Sequence, residues 1–246
     1  MDKKRNSVEF KITGRYAMFA DPVTRVGGEK FSYQIPTYQA LKGILESVYW
    51  KPTFIWYIDS VRVMKKIQTE SKGIKPIKMS GGNDLAYYTY LRDVEYQVLA
   101  HFDWNEHRND LDGDRDENKH HNIAKRSIIK GGRRDIFLGT RECQGYVEPC
   151  MFGEEGEGFY KNYGELDFGI QFHGYDYPDE TGKDELVVRL WRPKMKDGLI
   201  EFPMPKNCDP ALRRFIRKMT PKEFEKGRNF SLLDNDQSLM DLLSEE

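Results

Sequence analysis

Hydrophobic and polar residues alternate at two places in the first half of the chain, which predicts two half-buried β-strands. The first is residues 8–12, where apolar residues are separated by charged ones. The second and clearer pattern covers residues 93–104. A third segment, residues 53–64, is rich in β-branched and aromatic residues and predicts a buried strand. Glycine and proline residues between residues 64 and 93 mark turns, so we expect an inserted hairpin there.

Two helices are predicted, and the first shows the helical spacing of apolar residues. It has Thr37 as a candidate N-cap and ends before Pro52. Its apolar residues recur at i, i+3, i+4 and i+7, namely Leu41, Ile44, Leu45 and Val48. The second is a basic amphipathic helix that begins near Lys119 and ends at a pair of glycines. Between the strand that ends at residue 104 and this helix, residues 105–118 are polar and acidic and predict an exposed loop.

A strand predicted at residues 135–138 completes the order strand, helix, strand, strand, helix, strand. This is the order of a ferredoxin-like or RRM-like sheet. Beyond residue 145, short apolar segments and turns indicate a small antiparallel β-sheet. We therefore predict an α+β protein in three parts: a ferredoxin-like N-terminal domain with an inserted hairpin at residues 1–145, a small β-rich C-terminal domain at residues 146–206, and a basic segment with a short tail at residues 207–246.

Basic residues are concentrated at residues 119–134, which hold six Lys or Arg, two His and no acid in a chain whose formal net charge is -1. A local basic surface of this kind predicts binding to a polyanion, because cations that contact phosphates release bound counterions. A solvated helix face is the alternative, and charge alone leaves it open. The Gly-Gly pair is either a plain helix stop or a loop that grips a phosphate. The candidate nucleic-acid-binding residues are Lys125, Arg126, Lys130, Gly131, Gly132, Arg133 and Arg134.

Composition predicts a globular protein of the cytoplasm. Its 38% hydrophobic and 13% aromatic residues are enough for a buried core. No apolar run approaches the roughly 20 residues of a membrane span, so we expect no membrane partner. Cys143, Cys150 and Cys208 are odd in number and lack CxxC spacing, which indicates neither a disulfide framework nor a zinc site.

Motifs for metal hydrolysis, acyl transfer and nucleotide phosphoryl transfer are missing from the sequence: it has no HExxH, GxSxG or Walker loop. We therefore predict no metal and no cofactor. Cleaving RNA without a metal requires a base for the 2′-hydroxyl proton, a cation for the phosphorane, and an acid for the leaving 5′-oxygen. Lys119 and His120 suit two of these roles. An adjacent pair that arises by chance is the alternative.

Several long blocks resemble the crRNA-processing subunit of type I-C CRISPR systems. They are DKKRNSVEF through FADP near the N-terminus, PTYQALKGILESVYWKP at 36–52, GGRRDIFLGTRECQGYVEP at 131–149 and HGYDYPDETG at 173–182. The resemblance covers most of the chain except the acidic loop and the tail. It implies a fold of the RAMP superfamily, with a ferredoxin-like domain followed by a small β-sheet domain. It also implies metal-independent cutting of the CRISPR repeat at the base of its hairpin.

The same resemblance implies a catalytic set, a tyrosine from the first helix and a lysine-histidine pair before the second. These positions are Tyr49, Lys119 and His120. Some relatives carry an aromatic residue after the pair, whereas this chain has His121, so which imidazole works stays open. The implied products are a 2′,3′-cyclic phosphate and a 5′-hydroxyl.

The implied partners are CRISPR repeat RNA, the mature crRNA and the other subunits of the type I-C interference complex. An alternative hypothesis is that the protein is a non-catalytic RNA-binding scaffold that caps the 5′ handle of the crRNA. Binding to double-stranded DNA is a third, because a basic face neutralises either polymer.

Overall fold

The computed structural model describes residues 6–22, 24, 28–154, 156 and 158–222. Its helices are α1 (Tyr38–Val48), α2 (Glu117–Ile129) and α3 (Pro178–Thr181). Its strands are β1 (Ser7–Ala17), β2 (Lys30–Phe31), β3 (Phe54–Val63), β4 (Thr69–Ile74), β5 (Ala86–Trp104), β6 (Ile136–Phe137), β7 (Gln144–Pro149), β8 (Glu165–Asp167), β9 (Gln171–Asp176), β10 (Glu185–Trp191), β11 (Lys194–Lys196), β12 (Leu199–Glu201) and β13 (Arg213–Lys218). Within the described residues, no helix combines the length and the apolar character that a membrane crossing requires.

A large, mainly antiparallel sheet forms the centre of the fold. Its strand order is β6-β7-β1-β5-β3-β12-β11-β8, and β2 and β4 pair with the first part of β5. Neighbouring core strands bring buried apolar residues opposite one another, as where Phe10 faces Val98 and Val98 faces Val61. A second sheet has the order β13-β10-β9. The prediction of a mixed protein with a large and a small sheet is confirmed.

Helix α1 forms as its sequence pattern predicts. The Thr37 side chain accepts a hydrogen bond from the backbone N–H of Ala40 and so caps the first turn. All four predicted apolar residues of its stripe are buried. The helix therefore presents its C-terminal end, where Tyr49 follows, to the interior of the protein.

Helix α2 begins two residues before Lys119, because the Asp116 side chain accepts from the Lys119 backbone N–H and caps it at Glu117. The Lys-His pair, expected before this helix, thus lies in its first turn. Gly131 and Gly132 end the helix with φ angles of 79° and 106°, which glycine adopts readily.

Strand β1 pairs with β5 on one side and with β7 on the other. The segment at residues 135–138, which was expected to be the fourth strand of the sheet, does not pair with β1. That segment forms the two-residue β6, which pairs only with β7. Strand β5 is longer than the predicted 93–104, because its first half pairs with β4 in the predicted hairpin insertion. Asp93, where φ is 52°, lies near the junction of the two halves.

Strands from opposite sides of the predicted boundaries at residues 145 and 206 pair with one another. Strand β7 crosses the first boundary, and β12 joins the later strands to the large sheet through β3. Strand β13, predicted to lie in the third part, pairs with β10 of the second. The predicted tail at residues 223–246 lies outside the described residues.

Candidate active site

The C-terminal end of α1 and the first turn of α2 meet at Tyr49 and His120. The backbone N–H of Tyr49 donates to Leu45, and its carbonyl accepts from the indole N–H of Trp56 at 2.7 Å, so this helix end is fixed on both sides. The phenol oxygen of Tyr49 lies 2.7 Å from Nδ1 of His120. The structure therefore brings two of the three predicted catalytic residues into direct contact.

A second hydrogen bond determines which nitrogen of His120 carries the proton. Nε2 lies 2.7 Å from the backbone carbonyl oxygen of Asp114. A carbonyl oxygen can only accept, so Nε2 donates to it, and Nδ1 is left to accept the Tyr49 hydroxyl proton. The arrangement is a directed chain from the Tyr49 hydroxyl through the imidazole to Asp114.

Aromatic rings of the central sheet enclose the imidazole. Its ring centre lies 5.1 Å from that of Phe54, 5.8 Å from Trp104 and 6.3 Å from Phe102. His120 has 0% of its surface exposed and Tyr49 has 1%. The pair therefore sits in a low-dielectric environment, where hydrogen bonds are electrostatically stronger than in water.

Lys119 joins this pair through Asp114 rather than directly. Its ammonium forms an ion pair with one carboxylate oxygen of Asp114. The other oxygen accepts from the Thr53 hydroxyl at 2.7 Å and lies 3.5 Å from Nε2 of His120. Burial opposes ionisation of Asp114, but the hydrogen bonds from Lys119 and Thr53 and the nearby His120 hold the pKa of its carboxyl below the usual range.

Tyr49 keeps its proton at neutral pH. Burial, reinforced by the charge of Asp114, raises the pKa of the phenol to about 12, although the positive charge of Arg133 acts in the opposite direction. The Arg133 guanidinium lies 5.6 Å from the centre of the Tyr49 ring, within the range of a cation–π contact. Tyr49 is therefore a hydrogen-bond donor to His120, not a phenolate.

The predicted basic residues occupy two flanks of α2 and the loop after it. Lys125, Arg126, Lys130, Arg133 and Arg134 are all exposed. At about 100° per residue, Arg126 and Lys130 share a side of the helix with Lys119. Lys125 lies on another flank, beside a cavity of about 440 Å³. The backbone N–H of Arg134 donates to Ser47 and ties the loop to α1.

His121 lines the same cavity as Lys125, so it lies on a different side of α2 from the Tyr49 contact. His120 is the imidazole that the structure places against the tyrosine. The N–H groups of Gly131 and Gly132 donate to the carbonyls of Ile128 and Ser127. These two glycines therefore use their N–H groups to close the helix, as a helix stop does.

The segment predicted as an exposed acidic loop supplies a residue of the site. Residues Asn109–Asp114 form a short 3-10 helix, and Asn105 before it is buried. Asp114 in this segment is only partly exposed and contacts both Lys119 and His120. The sequence gives only a weak signal, since aspartates recur at every second position from 110 to 116 and nothing distinguishes one from the next.

Two further histidines are engaged elsewhere. His101 pairs with Asp59 at 2.8 Å, and His173 is buried and accepts from Arg189. Within the part of the chain that the structure describes, no three His, Cys, Asp or Glu side chains are grouped so as to hold a metal ion.

Comparison with known proteins identifies the family. Residues 7–203 match the profile Cas_Cas5d, described as CRISPR-associated protein (Cas_Cas5). A CRISPR pre-crRNA endoribonuclease Cas5d of Mannheimia succiniciproducens is 27% identical over 80% of this chain and 95% of its own length. A protein of the same name from Thermus thermophilus is 26% identical over 81% of this chain and 92% of its own. A crystal structure of a CRISPR-associated protein shares 37% identity with a TM-score of 0.72, covering 85% of this chain and 96% of that one. The chain belongs to the Cas5d family of CRISPR-associated proteins.

Proposed function

We propose that this chain is a metal-independent endoribonuclease that cuts CRISPR repeat RNA at the base of its hairpin. It releases mature crRNA and remains bound in the type I-C interference complex, in the cytoplasm. The observation that carries the proposal is the hydrogen bond of the Tyr49 hydroxyl to Nδ1 of His120, with Lys119 linked to the same imidazole through Asp114. The names of the two relatives, both pre-crRNA endoribonucleases, support the substrate class.

In the proposed reaction the 2′-oxygen attacks the adjacent phosphorus. The new P–O2′ bond forms as the P–O5′ bond breaks, which gives a 2′,3′-cyclic phosphate and a 5′-hydroxyl. The 2′-hydroxyl proton passes to the Tyr49 oxygen while the tyrosine's own proton moves to Nδ1 of His120. The same groups then return one proton to the leaving 5′-oxygen, so no proton is gained or lost overall. Lys119 stabilises the added negative charge on the phosphorane.

The scissile phosphate reaches this pair only if RNA displaces the groups that cover it, because both side chains are almost fully buried. Arg133 and Lys119 are exposed cations that contact the pair's surroundings, Arg133 over the Tyr49 ring and Lys119 at Asp114. Phosphates attract both side chains and so favour opening of the site. Arg126, Lys130 and Arg134 extend the basic surface along α2 and its loop.

We also infer that the central sheet is a ferredoxin-like domain of the RAMP type. The support is the strand order β7-β1-β5-β3, with α1 between β1 and β3 and α2 between β5 and β7. In this arrangement the two helix ends that carry the candidate residues lie side by side. Double-stranded DNA is a second candidate ligand of the same basic surface.

One observation favours the non-catalytic alternative, a scaffold that binds the 5′ handle of crRNA. The Tyr49–His120 pair is fully buried and each ring nitrogen has a partner, as expected of a core contact that only stabilises the fold. A scaffold needs the basic surface but no proton transfer. Cleavage by the wild type therefore separates the two functions.

The test is incubation of the full chain with labelled cognate repeat RNA in excess EDTA. We expect a single cut at the base of the hairpin and a cyclic phosphate at the new 3′ end. Tight binding without a cut would establish the scaffold, and a cut that appears only after Mg²⁺ is added would exclude the metal-independent mechanism.

A further inference from the structure

Asp114 makes contacts that connect the separate parts of the proposed site. Its backbone carbonyl accepts from Nε2 of His120 at 2.7 Å. Its carboxylate holds the Lys119 ammonium and lies 3.5 Å from the same imidazole nitrogen. Through this residue, Lys119 and the Tyr49–His120 pair form one connected network.

The position of Asp114 is itself fixed by the fold. Thr53, which is 1% exposed and directly precedes β3, donates its hydroxyl proton to the carboxylate at 2.7 Å. The Asp114 carbonyl also accepts from the backbone N–H of Asp116, the N-cap of α2. The central sheet and the start of α2 therefore both hold Asp114 in place.

We propose that Asp114 is a positioning residue for RNA cleavage, acting through His120 and Lys119. This inference rests on the proposed function. The carbonyl keeps the proton on Nε2, so that Nδ1 faces the Tyr49 hydroxyl as an acceptor. The carboxylate holds Lys119 beside the pair and supplies a negative charge next to the imidazole when the imidazole takes up a proton.

The charges around His120 explain why a carboxylate is needed. Phe54, Phe102 and Trp104 face it from the sheet and carry no charge, and Tyr49 faces it as a neutral phenol. Lys119 on α2 and Asp114 on the 3-10 helix are the charged groups of its network, and Arg133 lies over the Tyr49 ring. Without Asp114, the charged groups that this network keeps are the cations Lys119 and Arg133, and a nearby cation disfavours protonation of the imidazole. The Asp116 carboxylate lies at the N-terminus of α2 and accepts from the Lys119 backbone N–H, not from the imidazole.

If Asp114 instead restrained Lys119, removing Asp114 would change the cleavage rate in the opposite direction. A carboxylate that neutralises Lys119 could instead keep this cation away from the scissile phosphate, and its removal would then speed cleavage. The direction of the rate change in Asp114 variants separates the two roles. Asp114→Asn is the sharper variant, because its side-chain amide oxygen can still accept from Thr53 while the charge is lost.

The experiment compares Asp114→Asn and Asp114→Ala with Asp112→Asn. Asp112 lies in the same 3-10 helix and pairs with Arg115 at 2.9 Å, so its variant removes one equal charge outside the network. Single-turnover cleavage and RNA affinity are measured across pH. We expect both Asp114 variants to cleave about 10–100-fold more slowly, by analogy with the loss of a partner that orients a metal-binding histidine. RNA affinity should be equal or higher, because a negative charge is removed, and the acid limb of the pH–rate profile should move to lower pH.

An Asp114→Asn rate equal to or above that of the wild type would overturn the inference, as would a lower rate with an unchanged pH profile. The Asn variant decides the outcome if circular dichroism shows that the Ala variant is unfolded. Tyr49→Phe distinguishes a failure of the inference about Asp114 from a failure of the proposed mechanism. If Tyr49→Phe is inactive while Asp114→Asn is normal, the inference alone fails. If Tyr49→Phe cuts at the wild-type rate, the Tyr49–His120 mechanism of the proposed function fails, and the inference about Asp114 fails with it.

Discussion

The phenol oxygen of Tyr49 lies 2.7 Å from Nδ1 of His120, although 71 positions separate the two residues in the chain. The contact exists because α1 ends and α2 begins over the same aromatic part of the central sheet, where Phe54 and Trp104 lie. Two groups able to exchange a proton are thus held by helix ends rather than by a flexible loop. This precision favours proton transfer, provided that RNA gains access to the pair.

Tyr49→Phe removes the proposed proton carrier and keeps the ring. We expect single-turnover cleavage to fall about 10²–10⁴-fold, with RNA affinity within a few-fold of the wild type. His120 then lacks a donor at Nδ1, so the free energy of unfolding should drop by about 1–3 kcal/mol. Tyr160→Phe is the matched control, because its buried hydroxyl accepts from Ile67 outside the site. Wild-type cleavage by Tyr49→Phe would remove the tyrosine from the mechanism.

His120 requires a conservative substitution, because it is enclosed by three aromatic rings. His120→Ala should leave a cavity and lower the free energy of unfolding by about 2 kcal/mol or more. His120→Asn fills more of that space and cannot exchange protons at neutral pH, so we expect a folded protein that binds RNA and hardly cleaves it. His121→Ala, on another side of α2, should cleave within a few-fold of the wild type. The reverse pattern would assign the role to His121.

The basic flank of α2 should set the salt dependence of RNA binding. In Arg126→Ala/Lys130→Ala, the slope of log affinity against log salt should fall by roughly one unit per lost phosphate contact. Lys75→Ala/Lys78→Ala removes the same charge from the loop between β4 and β5 and should leave the slope unchanged. Equal slopes in all three proteins would identify this flank of α2 as a merely solvated face. Lys125→Ala, on the other flank, tests whether RNA extends around the helix.

His173 should make the fold sensitive to acid. Burial, and then the positive charge of Arg189, lower the pKa of this imidazole to about 3. Its stabilising contribution is therefore complete above the unfolded-state pKa of about 6.5 and is lost as pH falls toward 3, because only the unfolded chain binds the proton. We expect a loss of about 1.4 kcal/mol per pH unit from this group.

Urea unfolding between pH 6.5 and 5 measures this effect before most carboxylates titrate. The free energy of unfolding of His173→Asn should depend less steeply on pH than that of the wild type, because the unfolded variant binds one proton fewer. His107→Asn, which alters an exposed histidine, should keep the wild-type slope. Identical slopes for the His173 variant and the wild type would contradict a neutral buried imidazole.

A local sequence pattern predicts an element correctly when the residues of that element are enough to determine its structure. The spacing of Leu41, Ile44, Leu45 and Val48 is enough to predict α1, because the helix buries that one stripe. No sequence pattern predicts that β7 pairs with β1, because the pairing of strands that are far apart in the chain produces no regular spacing of residues. The apolar pattern of the segment before it predicted a strand in its place.

The site shows the same limit. The family resemblance supplies Tyr49, Lys119 and His120, and no local pattern in the sequence indicates that a hydrogen bond joins the first to the last. Asp114 was missed because its role depends on a backbone carbonyl and on the position of Thr53, both set by the tertiary fold. The burial of His120 was also unexpected, since a residue between a lysine and a second histidine has polar neighbours in sequence.

The most direct test of the central claim is single-turnover cleavage of a repeat RNA that carries one 2′-deoxy substitution at the scissile nucleotide, in EDTA. The account predicts that the unmodified RNA is cut and that the deoxy RNA binds with nearly the same affinity but is not cut, because its nucleophile is missing. Cleavage of the deoxy RNA at the same site would contradict the account, since water or a side chain would then be the attacking group.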